Sequence, residues 1–358
     1  MGEREHELHY PEGEPEGDFD SEEPTPSVVH EPEITAENDE QQLNKLKAQR
    51  KETQGEIMTE GERISREEFD RQLAELKNIE IDGKEIQFVE ASPKDPINES
   101  VVVVVGGYGA WSDPYVDELF ELAKSGRKVL FLSPDLGIKP HENDAEYFDK
   151  FKVPKSIGSM AAAVREVLNA KGIEHADFVG HSRGAAVLTS LAASHPELAE
   201  RLVLINPPGL IGKDSPINLA ARKFKEGSRR RLSGFFSSQT QEEIRRLGEL
   251  PTVQTKAPWQ DMARVNLVPL LRDLKERGKE SEKPRPEVFL LHAQGDVLFP
   301  AKRIEKTLTS RGHDAFEVID HWSMYTRKKA AHGAPYLELP GALKQILVES
   351  DKIQGQEK

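Results

Sequence analysis

The sequence predicts an α/β fold: a mostly parallel sheet flanked by helices, with a helical cap inserted between two of its strands and a disordered acidic tail ahead of it. Three observations carry this expectation. Short β-branched apolar runs alternate with helical stretches from residue 79 to 205, the order that gives parallel strands covered on both faces. One run, Val101–Val105, is apolar at every position instead of every second one, as a strand buried on both faces requires. The alternation stops at Pro207-Pro208 and resumes near Val288, so a long segment interrupts the sheet between two strands.

The elements follow in order. Residues 1–40 are rich in Glu, Asp, Pro and Gly and too poor in large apolar side chains to offset their ordering entropy; disorder is expected. Residues 41–78 form a charged helical extension, with a weaker helix over 41–58 and a firmer one over 66–78. Ser65 and Glu68 have capping-box spacing, and Phe69, Leu73 and Leu76 make one narrow stripe that should dock on the body. The first part of the core, 79–208, opens with a hairpin: Ile79-Glu-Ile81 and Ile86-Gln-Phe88 flank Asp82-Gly83. It continues with strands at 101–105, 128–132, 177–180 and 201–205 and helices at 113–124, about 155–170 and 183–194. Residues 209–285 are charged and mostly helical, without a clear buried strand. The second part of the core, 286–358, holds strands at 288–291 and 315–320 and helices at 301–310 and near 337–349.

The charge is as unevenly distributed as the structure. The chain has 63 acids, 49 bases and a formal net charge of −14. Fifteen acids and one base lie in residues 1–40, so residues 41–358 are formally neutral. A neutral body with an acidic tail lacks the basic face that nucleic-acid binding demands. No apolar run is long enough to span a bilayer, and the first residues lack the basic and apolar regions of a secretory signal. A cytoplasmic location is expected. There is no cysteine, hence no disulfide framework or thiol nucleophile. Histidines show no paired ligand spacing, so no metal site is expected, and no cofactor.

The strongest chemical motif is Gly180-His181-Ser182-Arg183-Gly184. It directly follows Asp177-Phe-Val and directly precedes Ala185-Ala-Val-Leu. Strand, sharp turn and helix are the setting a nucleophile elbow needs: Gly180 and Gly184 relieve crowding, and Ser182 stands at a helix N-terminus that favours developing negative charge. The plainer reading is a Gly-rich strand–helix turn with an ordinary capping serine.

With that motif in its context, the sequence resembles the α/β-hydrolase fold family over roughly residues 79–349. The resemblance implies a Ser-His-Asp triad of Ser182, Asp296 and His332. Asp296 follows Gly295 a few residues after the strand at 288–291, with Pro300 soon after, like the family's acid loop. The family's other acid position reads Asn206-Pro207-Pro208, without a carboxylate. His332 lies in Ala331-His-Gly-Ala-Pro-Tyr-Leu-Glu, which looks like the family's histidine segment; His321 is the rival. The oxyanion hole would use the backbone N–H of Arg183 and, in the loop Gly106-Gly107-Tyr108-Gly109, that of Tyr108. No Lys-Ser/Thr follows this loop, which disfavours a phosphate cradle.

The resemblance implies a serine hydrolase that cleaves an ester, thioester or related acyl bond of a small molecule through an acyl-enzyme. A serine at the elbow disfavours the family's epoxide hydrolases and haloalkane dehalogenases, which use an aspartate. Phe224, Phe235, Phe236, Trp259 and Met262 line the pocket or simply pack the cap. Between Lys213 and Arg231 seven bases face two acids, a solvated face or a surface for the acidic tail, for an anionic substrate or for a protein partner. A different class of function also fits: a non-catalytic binding or regulatory protein on a hydrolase scaffold, acting through its N-terminal extension.

Overall fold

A computed structural model describes residues 63–96, 101–107, 115–133, 137–211, 214–222, 260–280, 285–293, 295–309, 319–325 and 342–349. The chain forms two units, Met1–Glu60 and Gly61–Lys358, and every described residue belongs to the second. The acidic tail and the expected helix at 41–58 lie outside the described residues.

Helix α1 (Arg66–Ala74) begins at Ser65, whose hydroxyl accepts from the Glu68 N–H at 3.2 Å. Only half of the expected capping box forms. The Glu68 carboxylate goes to Arg71 (2.7 Å) and Gln72 (2.6 Å), and these bonds hold its pKa down at about 2. Phe69 is fully buried, packed edge-to-face on Phe120, so the stripe docks α1 on the body as expected. The helix ends at Ala74, four residues before the end expected at residue 78. Leu76 is exposed, and at Lys77 pairing with the next strand takes over from helical periodicity.

Strands β1 (Lys77–Ile81) and β2 (Lys84–Ala91) form the hairpin around Asp82-Gly83. Both turn residues have positive φ, 51° and 72°, the backbone of the hairpin turn whose twist matches its strands. Next come β3 (Val101–Val105), α2 (Val116–Lys124) and β4 (Lys128–Leu132). They are followed by α3 (Glu142–Lys150), α4 (Lys155–Ala170), β5 (Ala176–His181), α5 (Arg183–Ser194) and β6 (Ala199–Ile205). Helix α3 has no sequence signature: its nine residues bury only Asp144 and Phe148, too few for a stripe.

Residues 206–286 connect β6 to its parallel neighbour β7 (Glu287–Ala293), as the expected insertion requires. Its described parts contain no strand; residues 216–222 and 260–264 are helical, and α6 spans Val268–Glu280. Of the aromatic or Met pocket candidates, Met262 is described and buried; the four aromatics lie outside the described residues. Helix α7 (Ala301–Thr309) and strand β8 (His321–Tyr325) follow, then a closing helical segment, Ala342–Glu349. The described strand opens at His321, with Ile319 and Asp320 just ahead of it; residues 315–318 of the strand expected at 315–320 lie outside the described residues.

The eight strands lie in the order β1-β2-β4-β3-β5-β6-β7-β8, parallel from β4 onward. Alternate side chains of each central strand enter opposite layers. Val103, Val105 and Phe178 pack with α4, α5 and α6; Val102, Val104 and Val179 pack with α1, α2 and the closing segment. The uniform valine run is thus two alternating patterns read together.

The amino edge of the sheet is tied by a buried ion cluster. Asp177, at the start of β5, accepts from Arg127 and from Arg201 at 2.7 and 2.9 Å. The same guanidiniums donate to the carbonyls of Leu347 (3.1 Å) and Ile346 (3.4 Å), which anchors the closing segment. No described helix is long and apolar enough to cross a membrane.

Candidate active site

The carboxyl edge of the sheet gathers most of the described site residues. Strand β5 is buried at every position and delivers Ser182 at its end. Ser182 has φ 49° and ψ −119°, a sparsely populated conformation for a side-chain-bearing residue and one that costs about 1–3 kcal/mol. Its N–H donates to the Ile205 carbonyl at 2.9 Å, which pins the turn to β6. Ser182 stands at the N-cap of α5, yet its side chain makes no capping bond to that helix. The ordinary capping serine is therefore not what the motif encodes.

The two glycines are required by space. A Cβ on Gly180 would lie 2.5 Å from the Ala185 Cα, and one on Gly184 would lie 2.0 Å from the Val105 carbonyl oxygen. This close approach brings the start of α5 against the end of β3, where the Gly-rich loop begins. Gly107 lies over the elbow: a Cβ there would meet His181 Nδ1 at 3.0 Å and Ser182 Cβ at 3.4 Å. The Gly107 N–H donates to the Tyr115 hydroxyl at 2.7 Å, and that hydroxyl is 3.2 Å from His181 Nδ1. Arg183, buried, places its backbone N–H at the first position of α5, beside this loop.

Asp296 is buried in the loop after β7, two strands from Ser182. Its N–H returns to the Ala293 carbonyl at 2.9 Å, and its Oδ1 accepts from the N–H groups of Leu298 (2.7 Å) and Phe299 (3.1 Å). Two main-chain donors on one oxygen fix the direction of the other. Asn206, at the end of β6 with φ 45°, holds this loop: its Oδ1 accepts from the Ala293 N–H at 2.8 Å.

His321 goes to the opposite edge. It opens β8 in register with Phe289, stacks on that ring at 4.5 Å and contacts Glu287 through Nε2 at 2.6 Å. Strand β8 then runs to Tyr325, level with Ala293, so the chain leaves it at the edge where Ser182 stands. His332 and Tyr108 lie outside the described residues. Tyr115 was not legible as a neighbour of the elbow, because nothing in its local sequence marks it; Asn206, read only as the family's other acid position without a carboxylate, also holds the acid loop. No group of three or more His, Asp or Glu suited to a metal occurs among the described residues.

A family model for the alpha/beta hydrolase fold matches residues 100–307, more than half of the chain. The chain belongs to the α/β-hydrolase family. Among curated proteins, the candidate carbamate hydrolase RutD of Escherichia coli O157:H7 is 32% identical over 115 residues, 32% of this chain and 40% of RutD. The chain thus spans less than half the length of these curated relatives. Among solved structures, the 2-hydroxy-6-oxo-6-phenylhexa-2,4-dienoate hydrolase of Rhodococcus sp. strain RHA1 aligns with a TM-score of 0.53 at 17% identity, covering 78% of this chain and all of that one. A serine hydrolase from Cycloclasticus zankles gives 0.53 at 16% identity, covering 76% and 99%. These structures share the fold; their sequences are too distant to carry an activity across. The chain is therefore a member of a hydrolase family, and its bond specificity is a separate question.

Proposed function

We propose that the protein is a serine hydrolase acting on an ester, thioester or related acyl bond of a small molecule. Ser182 Oγ attacks the acyl carbon while His332 takes its proton; His332 then protonates the leaving alcohol or thiol. Asp296 accepts the imidazole N–H, fixing its tautomer and stabilising the imidazolium. The N–H groups of Arg183 and Tyr108 stabilise the tetrahedral oxyanion. Water, deprotonated by His332, then resolves the acyl-enzyme and releases the acid and Ser182.

The observation that carries this reading is the strained Ser182, held at a strand end without capping its own helix and with the Gly107 backbone against it. Strain of this kind persists only where the surroundings over-determine it, and it clusters at functional sites. The main-chain clasp on Asp296 supports the acid role. The test is a fluorophosphonate probe followed by mass mapping, together with turnover of p-nitrophenyl esters of increasing chain length. Aryl carbamates join the panel because the RutD name points to that bond. Labelling at Ser182, abolished in Ser182→Ala, is expected; a folded protein that takes no label would refute the reading.

A further inference from the structure

Among the described residues, the inserted segment makes a polar side-chain contact with the acid loop at Arg222. Arg222 ends the described helical stretch 216–222, and its Nε donates to the Leu298 carbonyl at 2.9 Å. That carbonyl and the Phe299 N–H are the two ends of one peptide group. The same N–H donates to Asp296 Oδ1 at 3.1 Å. A guanidinium, a peptide dipole and a carboxylate therefore stand in line. The charge on Arg222 polarises the peptide and strengthens the bond that its N–H gives to Asp296.

Arg222 is itself held in place. Its Nη2 and Nη1 engage Asp214, a carboxylate with a 3% exposed side chain that also lies 3.7 Å from Arg303 on α7. The Arg222 side chain is 18% exposed, so this is a seated group and not a surface ion pair. Asp214 and Arg222 both belong to the insertion, whereas Leu298, Phe299 and Asp296 belong to the second part of the core.

We infer that Arg222 is a positioning residue for Asp296, acting through the Leu298–Phe299 peptide group, so that seating of the inserted segment sets the orientation of the acid. This rests on the proposed role of Asp296 and adds a coupling between the insertion and that residue. The contact is polar and directional.

The test combines two readouts. The first is the rate of Ser182 labelling by a fluorophosphonate and the hydrolysis of p-nitrophenyl butyrate. These are measured for the wild type, Arg222→Met, Arg222→Lys, Asp296→Asn and the double variant Arg222→Met/Asp296→Asn. Arg222→Met should lower kcat and the labelling rate about tenfold, the scale of a lost bond backed by a charge, with KM unchanged. Arg222→Lys should recover part of this. In the Asp296→Asn background, Arg222→Met should have no further effect. An equal drop in both backgrounds, or a rise in KM alone, would overturn the coupling. The second readout is the 13C titration of the Asp296 carboxyl, which does not depend on activity. Its midpoint should move up in Arg222→Met, and an unmoved midpoint would overturn the inference. Absence of labelling in the wild type would overturn the hydrolase reading alone, with the carboxyl titration still deciding the coupling.

Discussion

Gly184→Ala puts one methyl group where the elbow helix meets the central strand. The added Cβ would lie 2.0 Å from the Val105 carbonyl oxygen and 2.6 Å from that of Gly106. Real Cβ atoms essentially never come closer than 3.0 Å, so α5 and β3 must part by about 1 Å. Neither can do so easily. Strand β3 is hydrogen-bonded on both sides, to β4 and β5, and α5 is buried at every position from Arg183 to Ala193. Overpacking in a tight interior usually costs about 1–3 kcal/mol. Here the obstacle is main chain on a central strand, so about 3 kcal/mol is expected. The displacement also moves the Arg183 N–H relative to the Gly106-Gly107 loop, so Ser182 labelling should fall by more than tenfold at temperatures where the protein stays folded. Urea denaturation gives the stability change, and probe labelling gives the activity. Gly172→Ala is the control: it has positive φ (64°) but no atom within 4 Å of the added Cβ, and should cost about 1–2 kcal/mol without affecting labelling. If Gly184→Ala costs no more than this control and labels normally, the close approach of α5 and β3 is not what holds the elbow.

Three other perturbations have clear outcomes. Asn206→Ala removes the acceptor for the Ala293 N–H and should cost about 1–3 kcal/mol in urea denaturation while slowing Ser182 labelling. Asp177→Ala leaves the Arg127 and Arg201 guanidiniums buried without their shared carboxylate; a loss of about 3–5 kcal/mol is expected, and limited proteolysis should cut near the closing segment first. His195 supplies a pH signature. Burial would lower its pKa, but its bonds to Glu197 (3.2 Å) and Asp144 (2.7 Å) outweigh that and raise it above the usual histidine value. A raised folded-state pKa contributes stability that is fully present below about pH 6.5 and is lost as the pH rises through the higher folded value. Wild-type melting temperature should therefore fall more than that of His195→Gln between pH 6 and 8, and parallel curves would refute this.

The parts of the fold that the sequence shows best are those whose physics is local. Asp82-Gly83 states its turn because two adjacent residues with positive φ leave few alternatives. Val101–Val105 states its burial because two layers each take alternate side chains from one run. The glycines of the elbow state a close approach that a Cβ would forbid. Where a partner distant in sequence decides, the reading fails. Helix α3 is held by Asp144, which bonds Arg165 at 2.6 Å and His195 at 2.7 Å, and a buried acid looks like an exposed one in a one-dimensional pattern. The last strand runs to Tyr325, past the end expected at residue 320, because His321–Tyr325 is a single edge strand whose polar and aromatic residues follow no simple alternation. Arg222 looked like one base among seven in a charged stretch; its partners, Asp214 and the Leu298 carbonyl, are set by how the insertion returns to the sheet.

Ser182 and Asn206 occupy equivalent places, each just past the end of a parallel strand and each at positive φ. Two strained residues side by side require a source of restraint, and the hydrogen bonds supply it step by step. The Ser182 N–H bonds the Ile205 carbonyl, and the Asn206 N–H bonds the Leu291 carbonyl at 3.0 Å. The Asn206 side chain takes the Ala293 N–H, and the Ala293 carbonyl takes the Asp296 N–H. This path carries the pairing of β5, β6 and β7 beyond their ends and links the elbow to the acid loop without a gap. Asn206 can make its bond to Ala293 without bringing charge to this edge, whereas a carboxylate in its place would set a second anion near Asp296 and raise the cost of ionising either. An amide at this position thus serves the path that holds Asp296 without competing with that acid for a proton.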